Sequence, residues 1–439
     1  MNPFRARDIT GAESASLRVC AAECVETIMS KKIAVIGGGA AGMVAAIRSA
    51  RMGTQVTIYE RNDRVGKKIL STGNGKCNFS NEKMSVDCYR GGGVPLVDKI
   101  YGTFGVKETK EFFAELGMRI KDRDGYLYPA SGQASTVLDV LRYELERLTV
   151  RIHINRQVTD ITAGQDGLTV ETNEHQKEKY DAVILACGGK AAPKTGSDGQ
   201  GFVLAKKLGH HIVPTVPALV ALRCSEDFYK RVAGVRCDAK LTLCIDGQPV
   251  SSDRGEMQWT DYGISGIPVF QLSRDAAYAL QAKRRVTVVI DLMPDFSEEQ
   301  NDSADSRFWS ERWKRQGGQT MEQFVTGLVN KKIGLLLLKL AGIKESEKVG
   351  DVSTSRQKEL TKLFRSFIVT VKGTNSFDQA QVCAGGVDCK EVTNTLESRI
   401  VPGIYFVGEM LDVDGICGGY NLQWAWSSGM VAGQAAAQG

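Results

Sequence analysis

Histidine is scarce in this 439-residue chain: only His153, His175, His210 and His211 occur, which leaves little scope for a histidine-based metal centre. The eleven cysteines never fall in a C-x-x-C pair, so neither a zinc site nor a disulfide framework is indicated. Reduced thiols in the cytoplasm are the expectation. Long apolar runs are missing too; Leu335 to Leu338 with its close neighbours is far too short to span a bilayer. The net charge of +5 is small for this length, so no nucleic-acid partner is expected. Residues 1–28 contain no signal-peptide core, because Asp8, Glu13, Glu23 and Glu26 interrupt it. Met29-Ser30-Lys31-Lys32 then directly precedes the first strand pattern. Residues 1–30 are therefore expected to be an N-terminal extension, or translation to begin at Met29.

Glycine is what the chain has in quantity, 47 in all. Length and composition otherwise read as a globular enzyme of two or three domains. Four apolar residues, Ile33 to Ile36, predict a buried parallel strand that runs into G-G-G-A-A-G. Gly37, Gly39 and Gly42 fill the three slots of G-x-G-x-x-G: tight turn, close approach of backbone to a pyrophosphate, and close packing of helix on strand. The helix expected from Ala40 to Arg51 points free N–H groups at the phosphates. A second strand, Val56 to Tyr59, ends at Glu60, about 20 residues past the glycines, where a carboxylate accepts ribose hydroxyls. Glycine-rich turns alone are common. Strand, glycines, helix, strand and acid in register predict a site for an ADP moiety.

The loop Arg61 to Asn81 carries Gly66-Lys67-Lys68 and then Ser71-Thr72-Gly73-Asn74-Gly75-Lys76-Cys77-Asn78. Such a backbone can lie against a ligand, with lysines to neutralise phosphate; a solvated turn is the other reading. Cys77 reads as a small packing residue. Helices are expected over Glu108 to Met118, with Phe112, Phe113 and Leu116 inward, and after a Ser135 cap, with Leu138, Leu141, Leu145 and Leu148 on one stripe. Val150, Ile152 and Ile154 alternate as a strand, Val158 begins another, and Tyr180 to Ala186 runs into Cys187-Gly188-Gly189. From about Pro193 to Gly373, strand-like segments (Ala218 to Arg223, Lys240 to Ile245, Arg285 to Leu292, Ile368 to Val371) and an Asp246-Gly247 turn predict a β-rich domain. Inside it, Ser297 to Phe367 is expected to be helical, with Ile333, Leu336, Leu337 and Leu340, and then Leu360, Leu363, Phe364 and Phe367, facing a core. Glu256 to Leu272 reads as a glycine-bearing loop, facing a ligand or connecting domains. Near the end, Gly403 to Val407 predicts a strand leading to Gly408-Glu409, then Asp412 to Asn421 and a small-residue helix whose N-terminus offers positive potential.

These motifs together, from the glycine turn with Glu60 to V-C-A-G-G-V and G-E-M-L-D-V-D-G-I-C-G-G-Y-N-L-Q-W-A-W-S-S-G, resemble the BaiN-like (YhiN-like, aminoacetone-oxidase-like) FAD-dependent oxidoreductases over Lys31 to Gly439. The resemblance implies an α/β fold: a Rossmann-type, two-dinucleotide FAD-binding domain built from both chain ends, with an inserted β-rich domain that carries a helical insert. The expected division is 31–192 and 374–439 for the FAD-binding domain, 193–296 and 368–373 for the β-rich domain, and 297–367 for the helical insert. By resemblance, Gly37, Gly39, Ala40, Ala41 and Gly42 hold the FAD pyrophosphate, and Glu60 with Arg61 the adenosine half. Lys68, Gly73, Asn74, Cys77 and Asn78 line the ribityl and flavin side, and Val158 meets the adenine. Ala186, Cys187 and Gly188 pass the adenosine, while Gly408, Glu409 and Asp412 approach the ribityl chain and pyrophosphate. Gly419, Tyr420, Asn421 and Leu422 sit at the pyrimidine edge of the flavin.

The expected activity is hydride transfer from NADH or NADPH through FAD to a small organic acceptor, such as an activated C=C of a steroid-like (bile acid) intermediate. No second full G-x-G-x-x-G lies between Ala191 and Gly373, so the nicotinamide is expected to visit transiently. The alternatives are an oxidase of a small amine or amino-ketone using oxygen, and a non-enzymatic flavin redox sensor. No catalytic acid or base is identified; Tyr420 is a candidate proton donor, with a packing role as the alternative.

Overall fold

The computed structural model describes residues 30–295 and 302–439, and of 302–305 the backbone alone. The expectations for residues 1–28, and for the start of the helical insert at 297–301, lie outside the described residues. Strand β1 (Lys32–Ile36) and strand β2 (Gln55–Tyr59) flank helix α1 (Ala40–Arg51), with Ile36 level with Tyr59 in parallel register. Ile33, Ala34 and Val35 are fully buried, as a strand covered on both faces requires. The five-stranded sheet is parallel throughout, in the order Ile404–Phe406, Ala182–Leu185, β1, β2, Arg151–His153. Its edge strand thus comes from the far end of the chain, and so does the helix Tyr420–Gln438 that packs on α1. Small residues allow that approach: a Cβ on Gly429 would lie 2.5 Å from Ala41 O, and one on Gly433 2.5 Å from Ala45 O.

A second core belongs to a closed six-stranded antiparallel barrel, ordered Leu222–Cys224, Gly263–Gly266, Gln248–Trp259, Arg236–Ile245, Val286–Asp291, Phe367–Thr374. Asp246 (φ 51°) and Gly247 (φ 83°) form the expected two-residue hairpin turn, since both positions need the left-handed region. The helices Asp302–Arg315, Met321–Val325, Lys331–Leu340 and Thr354–Arg365 lie between the last two barrel strands and share its core through Trp309, Phe324 and Phe364. The fold is therefore a Rossmann-type α/β domain made from both chain ends, with an inserted barrel that carries helices.

Several local expectations need correction. Ala218 to Arg223 is not one strand: Leu219 turns at φ 50°, separating Ile212–Ala218, which pairs with Val382–Val387, from the barrel strand Leu222–Cys224. Glu256 to Leu272 is not a loop but the end of one barrel strand, a second strand and the first turns of the helix Ile267–Gln281. Gly263 and Gly266 are needed there because a Cβ would meet Leu222 O at 2.1 Å and Glu256 O at 2.6 Å. Ser135 does not cap its helix, which already starts at Ala134. Leu340 is 45% exposed; the buried residues of its helix are Ile333, Gly334, Leu336, Leu337 and Leu338. For the division into units we propose the boundaries given above, except that residues 193–211 go with the FAD-binding unit, because Phe202, Leu204, Ala205 and Leu208 sit in its core; the ribbon of Ile212–Ala218 on Val382–Val387 is then the neck between the units.

Candidate active site

At the carboxyl ends of the parallel strands lies a cavity, where such a sheet presents its loops to a ligand. Its floor is the glycine turn. Gly37 has φ 108° and its Cβ would meet Ala186 O at 2.5 Å; a Cβ on Gly42 would meet Gly37 O at 2.0 Å. Gly39 differs, since a Cβ there would meet no protein atom within 4 Å. The open space in front of Gly39 is the cavity itself, walled by Gly37, Gly39, Ala40 and Ala41. Helix α1 has no side-chain cap, so its first N–H groups are free for an anion at that wall.

Glu60 is buried, and its carboxylate holds the turn together: Oε2 accepts from Gly38 N–H at 2.9 Å, while Oε1 accepts from Asn62 N–H and Asn62 Nδ2, both at 2.8 Å. Arg61 pairs with Asp198 across the mouth. Val158, Ala186, Cys187 and Gly188 line this end of the cavity. Residues there that sequence reasoning missed are Tyr59, Arg156, Gln157, Ser197 and Asp198. The G-S-D-G stretch around Asp198 was the available signal, a second glycine turn followed by a helix. Burial, with Glu178 adding to it, pushes the Tyr59 phenol up to about 12, and its hydroxyl sits between Tyr180 and Glu178.

At the opposite end, Lys68 Nζ lies 2.9 Å from Glu409 Oε2. Glu409 also accepts from Cys383 N–H at 2.7 Å and Gly189 N–H at 3.2 Å, which ties the 408–410 turn to the neck ribbon. Gly408, Glu409, Asn421 and Leu422 line the cavity, joined by the unforeseen Thr72, Gln381, Val382, Val413 and Trp424. Trp424 follows Tyr420 by one helical turn and donates to Gly408 O at 3.0 Å.

The remaining expected residues are placed behind or beside these walls. Gly42 is under the turn. Gly73 and Asn74 form an exposed left-handed turn, and Cys77 is fully buried, its thiol pushed up to about 12 by burial. Asn78 Oδ1 is buried without a partner among the described residues, beside Gly419. Asp412 accepts from Gly92 N–H at 2.7 Å through Oδ2, while its Oδ1 is buried and also unpartnered among the described residues. Tyr420 does not line the cavity: its hydroxyl donates to Lys83 O at 3.1 Å, and burial raises the phenol well above its ordinary value. That environment makes it a packing aromatic, in contact with Tyr89, and a poor acid.

The chain is 44% identical over 410 residues to the 3-dehydro-bile acid delta(4,6)-reductase of Clostridium scindens, covering 93% of this chain and 99% of that one. It is 29% identical over 404 residues to a ribosomal RNA dihydrouridine synthase of Haemophilus influenzae, covering 90% and 95% respectively. Among solved structures it is similar to the open conformation of a flavocytochrome c3 fumarate reductase, with a TM-score of 0.49 at 15% identity, over 93% of this chain and 78% of that one. The family model described as HI0933-like protein Rossmann domain matches residues 31–435, and the chain belongs to that family.

Proposed function

We propose that this protein is an FAD-dependent oxidoreductase that reduces a C=C bond conjugated to a carbonyl, with a steroid-like 3-oxo acid as substrate class and NADH or NADPH as transient electron donor. The observation that carries the reading is the 44% identity to the bile acid reductase over 93% of this chain and 99% of that one, and it is supported by the cavity wall at Gly39, open in front of an uncapped helix N-terminus. The residues present fit FAD. Gly37, Gly39 and the start of α1 at Ala40 and Ala41 suit a pyrophosphate, and Arg61 and Val158 flank the adenosine end. Glu60 retains one lone pair, on Oε2, for a ribose hydroxyl besides the three hydrogen bonds that it accepts. Lys68, Asn421 and Leu422 suit the flavin end, and Asn78 Oδ1 and Asp412 Oδ1 are buried acceptors without a partner among the described residues. When bound, FAD supplies a two-electron hydride carrier. The protein's own part is to orient, exclude water and place positive potential: the first turn of the helix Tyr420–Gln438, with Asn421 and Leu422 on the wall, favours negative charge at that end.

The names of the two relatives denote the same chemistry, net addition of two hydrogens to a C=C bond conjugated to a carbonyl, on different substrates. A second reading, reduction of a uridine in ribosomal RNA, is favoured by the 29% identity to the synthase and runs against the expectation of no nucleic-acid partner. The cytoplasm is the proposed location; no helix among the described residues is long and apolar enough to cross a membrane.

The test is an anaerobic titration of the purified protein with NADH and with NADPH, following flavin absorbance, then addition of a 3-oxo-Δ4,6 bile acid. Bleaching by one nucleotide and recovery with the steroid is expected. Bleaching without recovery by the steroid, together with loss of a dihydrouridine from ribosomal RNA when the gene is deleted, transfers the assignment to the second reading. No bleaching by either nucleotide rejects the nicotinamide-fed reductase.

A further inference from the structure

The helix Ile267–Gln281, which packs on the inserted barrel, touches the chain segment beside the cavity. Along Ile267–Gln281, Gln271, Arg274 and Tyr278 fall at i, i+3 and i+7, on one face. That face meets the stretch Asp414 to Cys417. Gln271 Oε1 accepts from Cys417 N–H at 3.0 Å, and Arg274 Nε lies 3.0 Å from Asp414 Oδ1. Tyr278 stacks under the guanidinium at 5.0 Å and donates to Pro214 O. The pair is well buried, with side-chain exposures of 19% for Arg274 and 4% for Asp414.

From Asp414 the connection to the cavity is short. Gly415 N–H donates to Asn421 Oδ1, and Asn421 Nδ2 donates back to Gly415 O, both at 2.8 Å. Val413 on one side of Asp414, and Asn421 beyond Gly415, both line the cavity. We propose that Arg274 is a positioning residue of the cofactor site, acting through Asp414 to hold the turn that presents Val413 and Asn421 to the flavin end. It thereby makes docking of the inserted barrel a condition of a well-formed cofactor cavity. The proposal rests on the reading of that cavity as the FAD site.

The physical reason is the asymmetry of buried ion pairs, which add little when intact and cost much when one partner is removed. Asp414 is faced by Arg274 and Arg90 and by the like charge of Asp412, with Tyr278 and, beyond Arg274, Asp275 as its further titratable neighbours. Burial already raises its carboxyl to about 6 with Arg274 present. Without Arg274 the carboxylate is left buried beside Asp412, and the local escape is to bind a proton or to open the turn.

The experiment compares wild type, Arg274→Met, Arg274→Lys and the double variant Arg274→Met/Asp414→Asn, reading the FAD dissociation constant and the flavin midpoint potential across pH. At about pH 8 the Arg274→Met protein is expected to bind FAD about tenfold or more weakly with a shifted potential, and the defect to shrink towards about pH 5.5 as Asp414 takes up a proton. The double variant is expected to recover most of the affinity and to lose the pH dependence, with Arg274→Lys in between. An Arg274→Met protein with wild-type affinity and potential at every pH overturns the proposal, and so does a double variant as impaired as the single. If Arg274→Met does not fold by circular dichroism, the double variant decides: wild-type affinity supports the proposal and tenfold weaker affinity rejects it. A wild-type protein that takes up no FAD rejects the functional reading instead.

Discussion

Gly38 donates its backbone N–H to Oε2 of Glu60 at 2.9 Å, so the acid at the end of β2 holds the glycine turn from beneath. With Asn62 on Oε1, the carboxylate accepts three hydrogen bonds while buried. An amide in its place has one acceptor oxygen, so Glu60→Gln leaves at least one of these N–H donors unmatched. Chemical denaturation is expected to show a loss of about 1–3 kcal/mol, the range for a buried donor left without its acceptor. Isothermal titration is expected to show weaker FAD binding. Unchanged stability removes the structural role assigned to Glu60.

The glycines of the turn are not equivalent, and two alanine variants separate their roles. At Gly42 an added Cβ would lie 2.0 Å from Gly37 O, a backbone atom that cannot step aside, so Gly42→Ala is expected to lower the melting temperature by several degrees. At Gly39 the Cβ would meet nothing in the protein, so Gly39→Ala is expected to melt like wild type. Its methyl group enters the open space proposed for the pyrophosphate, and FAD affinity is expected to fall about tenfold or more. A Gly39→Ala protein that binds FAD normally would show that the ligand does not approach there.

Asp414 predicts a local pH dependence. Its carboxyl titrates at about 6 in the folded chain against an ordinary value of 3.8, so the folded state binds the proton more tightly. Its contribution to stability is therefore greatest below 3.8, declines as pH rises through the interval and stays at its lowest above about 6. The difference is at most about 3 kcal/mol at about 1.4 kcal/mol per unit. His210 works in the opposite sense, because burial lowers its imidazole and favours the neutral ring, so acid weakens its surroundings. Global melting mixes the two. Hydrogen exchange of the amides near residues 412–419 isolates Asp414, and protection there is expected to rise from about pH 7 to about pH 5 once intrinsic rates are divided out.

How much of this was legible in the sequence follows contact range. The unit β1–α1–β2 with Glu60 is local, and glycine spacing, helix and acid could be read from 30 consecutive residues. The Asp246-Gly247 turn was legible for the same reason. Barrel closure was not, because Leu222–Cys224 finds Phe367–Thr374 across a long intervening chain that no periodicity connects. Nor was the Lys68–Glu409 pair, 341 residues apart, or the ion pair of Arg274 with Asp414. Asp412 and Asp414 look alike as letters, yet one caps the Gly92 turn while the other is bound to the inserted barrel. Tyr420 shows the converse, a residue beside the right motif whose hydroxyl is committed to Lys83.

The helix Tyr420–Gln438 offers the sharpest test that both chain ends build one domain. Its small residues are spaced for close packing, Gly429 and Gly433 lying over Ala41 and Ala45 of α1, and Ser49 Oγ donates to Gly433 O at 2.8 Å. A side chain at Gly433 would push against Ala45 O at 2.5 Å, backbone on a rigid helix, with no flexible group to yield. Gly433→Val therefore forces the two helices apart and overpacks a core, at an expected cost of about 1–3 kcal/mol or more. Gly433→Ala is expected to cost less, because one methyl group needs a smaller displacement. Since Trp424 and Leu422 near the start of the same helix line the cavity, the valine variant is also expected to bind FAD more weakly. Limited proteolysis then distinguishes the causes: a released C-terminal segment means that the helix has undocked, whereas an intact chain with weak FAD binding means that it has only tilted. Valine at 433 with unchanged stability and affinity would mean that the two chain ends do not pack against each other as described.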